Sequence, residues 1–585
     1  MSGFNHVPRT LGMAWKSSPA MTGALVAFAV VAAALPIGLA WVGKLVIDAV
    51  VAHDVDLAVR RILLELVLII LLAATSRANA LLWQILGLRM SVDTNVAILA
   101  KARTLDLRHF EDSEFYDQLT RARREASSRP LGVVTASFGL LQSVVAFVGY
   151  GTALLRFHPL AVAGLLLAAI PAALVEMQFG KAAFRLRNWR APETRKLAYL
   201  EYVLGTDTHA KEVMLFGLGD LFLGRYKDLA ERFFREDRAL ATRRTGSAFA
   251  LSLLGTGAFY ACAAWMAAEA ARSHMTVGDL TFYIVALRQG QQSFQSVLAA
   301  IGGIYEDNLY MSNLFGYLAI ATAPRTSAVP SAPDERGIRF EDVGFRYPGA
   351  EKWALRHVDL FVPAGQSVAL VGHNGAGKTT FIKLLSRLYD PTEGRILLDG
   401  RDLNSWDPEA LRKRIGVIFQ DFNRYHLPAS ENVGVGSVDH LTDAPRIGRA
   451  AEKAGADGVI AGLKDGANTT LGRWFREGVE LSGGQWQKVA LGRAYMREEA
   501  DILVLDEPTA ALDAEAEHAV FERFRELSKG RTTFVISHRF PTVRMADRIV
   551  VIEGGEIREE GTHDSLVARG ERYAQLFELQ ARGYA

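Results

Sequence analysis

Residues 20–43 include ALVAFAVVAAALPIGLAWVG and carry no charged side chain. A hydrocarbon core about 30 Å thick takes about 20 apolar residues of helix to cross. Lipid offers no partner for backbone N–H and C=O groups, so a single run of this kind has to be helical. Comparable stretches at 62–86, 131–154, 157–178, 247–271 and 280–303 bring the expected spans to six. A buried core helix would account for any one of them, most easily 62–86 or 280–303, but poorly for six in series. The first run is too long for a signal-peptide core and lacks a convincing small-residue cleavage site, so it reads as a retained span.

Lys and Arg placement gives the orientation. The stretch 87–130 carries Arg89, Lys101, Arg103, Arg108, Arg121, Arg123, Arg124 and Arg129, and 181–245 is similarly basic. The other connections are short and hold few cations. The N-terminus, both long connections and the C-terminal half are therefore expected in the cytoplasm. The sixth span carries Arg288, Gln291, Gln292 and Gln295, spaced i, i+3, i+4, i+7 on one helical face. Lipid penalises such a face, so it is expected to line a cargo cavity, the competing view being amide bonding between helices.

Residues 323–337, APRTSAVPSAPDERG, end the apolar pattern and read as a linker. The expected domains are a membrane domain at 1–322, this linker, and an α/β domain at 338–585. The fold class is thus an all-α six-helix transmembrane domain followed by an α/β domain. Lys plus Arg number 66 against 64 Asp plus Glu, which shows no basic excess for a nucleic-acid partner. One cysteine, Cys262, leaves no intrachain disulfide and no cysteine-rich zinc site.

The apolar run Ser367–Val371 leads into Gly372-His373-Asn374-Gly375-Ala376-Gly377-Lys378-Thr379-Thr380, and a helical pattern follows. This is the strand–loop–helix setting of a phosphate loop. Backbone N–H groups and the helix N-terminus bind phosphate. Lys378 is expected to neutralise β- and γ-phosphates and Thr379 to ligate Mg²⁺, which makes the second domain an α/β P-loop domain. A second apolar run, 502–505, ends in Asp506-Glu507. Asp506 suits Mg²⁺ through water, and Glu507 suits the general base for an attacking water. Leu481-Ser482-Gly483-Gly484-Gln485 opens another helix and offers a second anion surface, although a plain Ser-capped start has the same appearance. Two phosphate-type loops with one catalytic strand suggest nucleotides shared between two protomers.

This order resembles the ATP-binding cassette (ABC) superfamily over about 339–565. The layout of the membrane half is similar to exporter-type half-transporters. The resemblance implies ATP hydrolysis, with Tyr347 stacking on adenine, Gln420 touching Mg²⁺ and sensing the γ-phosphate, and His538 contacting the γ-phosphate. It implies that Ser482, Gly483, Gly484 and Gln485 close on the partner chain's nucleotide. It also makes Ala511-Leu512-Asp513 a D-loop and places short coupling helices near 111–117 and 206–212. Phe419–Tyr425, Leu471–Phe475 and Gly484–Gln487 are similar to the bacterial branch that exports lantibiotics and other modified peptides. Intact motifs favour a homodimer in a bacterial-type inner or plasma membrane, in contact with lipids and a cargo such as a modified peptide. A lipid or drug exporter and a nucleotide-gated channel or regulator are the alternatives.

Overall fold

The computed structural model describes residues 4–584 apart from 113–114, 116–118, 120–121, 124–128, 161–162, 164–174, 176–177, 184, 187–188, 273–274, 322–335, 508–524, 527 and 538. Its contacts divide the chain into two units, 1–105 with 113–321 and 106–112 with 322–585.

The first unit is helical throughout its described residues. A short helix, α1 (Val7–Ser17), precedes α2 (Pro19–Val51) and α3 (Val55–Ala102). Ser18 caps α2, with Pro19 at the first helical position, and the Asp54 carboxylate accepts the Leu57 N–H at 2.9 Å to start α3. In the second unit's inserted segment lies α4 (Leu107–Glu111). The first unit continues with α5 (Arg129–Phe157), α6 (Ala191–Gly205), α7 (Asp207–Leu215), α8 (Gly219–Arg272) and α9 (Val277–Leu318). At 54 residues, α8 is about 80 Å long, far more than a bilayer core requires. Its first half is polar and its second half apolar, as a helix leaving the membrane should be.

The helices α2, α5 and α8 are long and apolar enough to cross a membrane by length and composition. On α3, Ile62, Leu63, Leu64, Leu66, Val67, Ile69, Ile70 and Leu71 are all exposed, a patch that water would not tolerate but lipid would cover. The run 157–178 lies mostly outside the described residues. Polar locks sit away from the apolar centres. Lys44 pairs with Asp279 at 2.5 Å, and Arg129 pairs with Asp307 at 2.7 Å. Buried Arg190 bridges Glu236 at 2.7 Å and Asp237 at 2.8 Å.

The second unit holds two sheets. One is antiparallel, in the order β2-β1-β4-β5, from β1 (Gly337–Phe345), β2 (Leu355–Pro363), β4 (Glu393–Leu398) and β5 (Arg401–Asp402). The other comprises β3 (Ser367–Val371), β6 (Ile415–Ile418), β7 (Ile502–Asp506), β8 (Thr532–Ile536), β9 (Arg548–Glu553) and β10 (Glu556–Gly561), in the order β10-β9-β3-β8-β7-β6. Its pairings are parallel except at the β10 edge. The unbroken apolar runs of β3 and β7 have a simple cause: both faces are covered. Val368 and Leu370 enter one core, while Ala369 and Val371 enter another. Ile502 and Val504 likewise face away from Leu503 and Leu505. Leu107 of α4 packs against the larger of these cores.

Candidate nucleotide site

Strand register sets the site. β8 lies between β3 and β7, and Ile536 pairs with both Leu370 and Asp506. The loop after β3 and the carboxylates at the end of β7 therefore emerge at the same edge of the sheet, where α/β ligands bind.

The loop 372–377 leads into α10 (Lys378–Leu385). Gly377 has φ +109°, and a Cβ there would lie 2.6 Å from the Ala354 carbonyl oxygen, so only glycine fits. A Cβ on Gly372 would lie 2.2 Å from the Ile552 carbonyl oxygen. Asn374 and Gly375 are exposed, while Ala376 packs into the core beneath. Lys378 is buried, and its Nζ donates to the carbonyls of Gly372 at 2.7 Å and His373 at 3.0 Å. Burial pushes its pKa down, against the pull of Glu507 and Asp506. Burial pushes the Asp506 carboxyl up, although it accepts the Thr379 hydroxyl at 3.1 Å. Each charge is thus held at a cost that a triphosphate and a cation would relieve.

Gln420, just past β6, donates Nε2–H to Glu507 Oε2 at 2.8 Å. Glu507 sits at φ +49°, a left-handed conformation that costs a non-glycine residue about 1–2 kcal/mol, and its N–H donates to the Ile536 carbonyl at 2.9 Å. Tyr347 is half-buried, with its hydroxyl 3.1 Å from that of Thr380. Thr379, Asp506 and Gln420 thus supply oxygen donors of the kind Mg²⁺ takes alongside waters and phosphates, and the residues present fit that ion.

Ser482 is the N-cap of α11 (Gly483–Tyr495). Its hydroxyl accepts the Gln485 N–H at 3.3 Å, and the Gln485 side chain accepts the Ser482 N–H at 2.9 Å. Ser482 and Gly483 are exposed, and Trp486 anchors the helix from below, fully buried and bonded to Glu480 at 2.9 Å. This is a capping box with an outward-facing N-terminus. His538 and the segment 511–513 lie outside the described residues.

Arg493 on α11 was not singled out from the sequence. It is held by the carbonyls of Asn423 at 2.7 Å and Asn432 at 2.9 Å, and lies over the Tyr425 ring at 4.8 Å. It ties the helix behind Ser482 to the segment following Gln420. A lone cation within the apolar run Val489–Ala494 is the available signal. Beside it is a cavity of about 350 Å³ lined by Phe419, Phe422, Tyr425, Arg493 and Arg497.

In the membrane half, Arg288, Gln292 and Gln295 are exposed on α9. Gln291 departs from them, because its amide donates to the Gly255 carbonyl of α8 at 3.2 Å. At that position the interhelical bond is made.

The family described as ABC transporter matches residues 355–510. The subtilin transport ATP-binding protein SpaT of Bacillus subtilis is 33% identical over 496 residues, 84% of this chain and 80% of the relative. The nisin transport ATP-binding protein NisT of Lactococcus lactis subsp. lactis is 30% identical over 511 residues, 84% of this chain and 82% of the relative. A solved bacterial Atm1-family ABC exporter with ATP bound has the same fold, with a TM-score of 0.77 at 24% identity, covering 96% of this chain and 98% of that one.

Proposed function

The chain belongs to the ABC transporters as an exporter-type half-transporter with an ATP-hydrolysing cassette, and from that premise we propose that two copies form a homodimer moving a peptide or amphipathic natural product out of the cytoplasm. The observation that carries the dimer is the contrast within one chain. The phosphate loop and its carboxylates meet at one sheet edge, while the Ser482 helix N-terminus is exposed and, among the described residues, Ser482 and Gln485 cap each other.

In this reading the triphosphate lies in the loop 372–380. Lys378 Nζ moves from the Gly372 and His373 carbonyls onto β- and γ-phosphate oxygens. The N–H groups from Asn374 to Thr380 wrap the phosphates, and Tyr347 stacks on adenine. Thr379, Gln420 and Asp506 would hold Mg²⁺, which when bound would draw charge from the phosphates. Glu507 accepts the proton of the attacking water, held in place by the Gln420 amide. His538 contacts the γ-phosphate. Ser482, Gly483, Gly484 and Gln485 of the partner subunit cover the open side. Closure of two such sites biases the membrane half between inward- and outward-open states.

The membrane half, 1–322, forms six spans in a bacterial-type inner or plasma membrane. The N-terminus and the cassette (338–585, after the linker 323–337) are cytoplasmic. The exposed Arg288, Gln292 and Gln295, with Gln291 at their edge, line the cargo path. Peptide cargo is supported by relatives named for subtilin and nisin transport, whose likeness spans 84% of the chain and so reaches past the cassette. The test is ATPase stimulation in nanodiscs by modified peptides, drugs and lipids. Several-fold stimulation by a peptide class is expected, and a response to lipids alone would overturn the cargo assignment.

A further inference from the structure

The helix α4 ends in Glu111, whose two carboxylate oxygens have different partners. Oε1 accepts from Lys383 Nζ at 2.9 Å, and Oε2 accepts the Tyr389 hydroxyl. Lys383 stands on α10 three residues after Thr380, on the same face. Its ammonium lies 5.3 Å from the centroid of the Tyr347 ring and 5.7 Å from that of Tyr389. The Tyr389 ring meets Tyr347 edge-on at 5.5 Å, and the Tyr347 hydroxyl pairs with Thr380. The Tyr347 ring is thus fixed by a cation, an aromatic edge and a hydroxyl. Two of those three are held by one carboxylate about 270 residues away in the chain. Burial alone would raise the Glu111 pKa, but the hydrogen bonds from Tyr389 and Lys383 outweigh it and hold the group lower, so it is ionised at neutral pH. A ring held in one orientation stacks on a base with less ordering entropy to lose, and a nearby ammonium tunes its π-face.

We propose that Glu111 is a positioning residue for the nucleotide base: through Lys383 and Tyr389 it sets the Tyr347 ring, so that part of the first long connection of the membrane half determines adenine affinity. This rests on Tyr347 being the adenine platform.

The test uses the full-length protein in detergent, with ATP and with inorganic tripolyphosphate, which has the phosphates but no base. Glu111→Gln should weaken ATP binding about three- to fivefold and leave tripolyphosphate binding unchanged, the unchanged value also reporting an intact phosphate loop. Lys383→Gln, which removes one of the two supports, should weaken ATP binding by no more than Glu111→Gln does, and the double variant should lose less than the two single losses combined. Unchanged ATP affinity in Glu111→Gln, or equal losses for both ligands, would overturn the proposal. Tyr347→Ala separates the underlying assignment. If it binds ATP as the wild type does, the adenine platform and this inference fall together. Loss of both ligands in Lys378→Ala would still support the nucleotide loop.

Discussion

Two glycine-bearing loops open helices in the cassette, and they are built on opposite plans. The loop before α10 bends backward, with Gly377 at φ +109° pressed against the Ala354 carbonyl and a buried lysine whose described partners are two backbone carbonyls. The loop before α11 is an ordinary capped start, in which Gly483 and Gly484 are already helical and Ser482 satisfies an N–H of its own helix. The first is bent into a left-handed conformation and carries a buried, desolvated cation, so its N–H groups and its charge suit an anion. The second is satisfied by its own capping box. Glycine content alone therefore does not define phosphate binding. What matters is where the donors and the buried cation point.

Four experiments test this contrast. The largest effect is expected from Glu507→Gln, which should retain ATP binding and lower turnover about 10²–10⁴-fold. Hydrolysis at the wild-type rate would remove Glu507 as the base. Next, Lys378→Ala should cost about 2–5 kcal/mol of nucleotide binding, because it removes the buried charge rather than a surface one. Nucleotide affinity equal to wild type would erase the distinction between the two loops. Third, in a Cys262→Ala background, Ser482→Cys combined with Asn374→Cys should yield crosslinks between chains that increase with ATP. Crosslinks confined to single chains would show that α11 serves its own nucleotide.

The smallest effect concerns Asp506. Its folded pKa is raised by burial, so its contribution favours folding below the ordinary Asp value and is lost as pH rises through the raised pKa. At neutral pH the ionised group destabilises the nucleotide-free cassette. Asp506→Asn should therefore raise the melting temperature without nucleotide and shrink the further rise produced by Mg²⁺ and ATP. A lowered melting temperature in the nucleotide-free variant would contradict the burial argument.

What was legible in the sequence was local. Residues 367–380 state strand, loop and helix by spacing alone, and 502–507 do so through four apolar residues followed by two acids. The parallel register that sets Leu370, Ile536 and Asp506 in one row is not local, and no short motif encodes it. Glu111 stands in an acidic and aromatic stretch, 111–117, but its partners, Lys383 on α10 and Tyr389 just beyond that helix, lie more than 270 residues away. Gln291 shows the limit of periodicity in lipid. A shared helical face does not tell whether an amide meets water or a neighbouring carbonyl, and this one meets Gly255.

The grouping of 106–112 with the second unit bears on how parts of such proteins can be interchanged. A cassette excised at residue 338 would leave bare the hydrophobic seat of Leu107 and strip Lys383 of its carboxylate. A chimera that grafts this cassette onto a relative's membrane half would import whatever that relative carries at those positions. The heritable unit for nucleotide handling is therefore discontinuous, and recombination at the linker alone would separate seven residues from the module they complete.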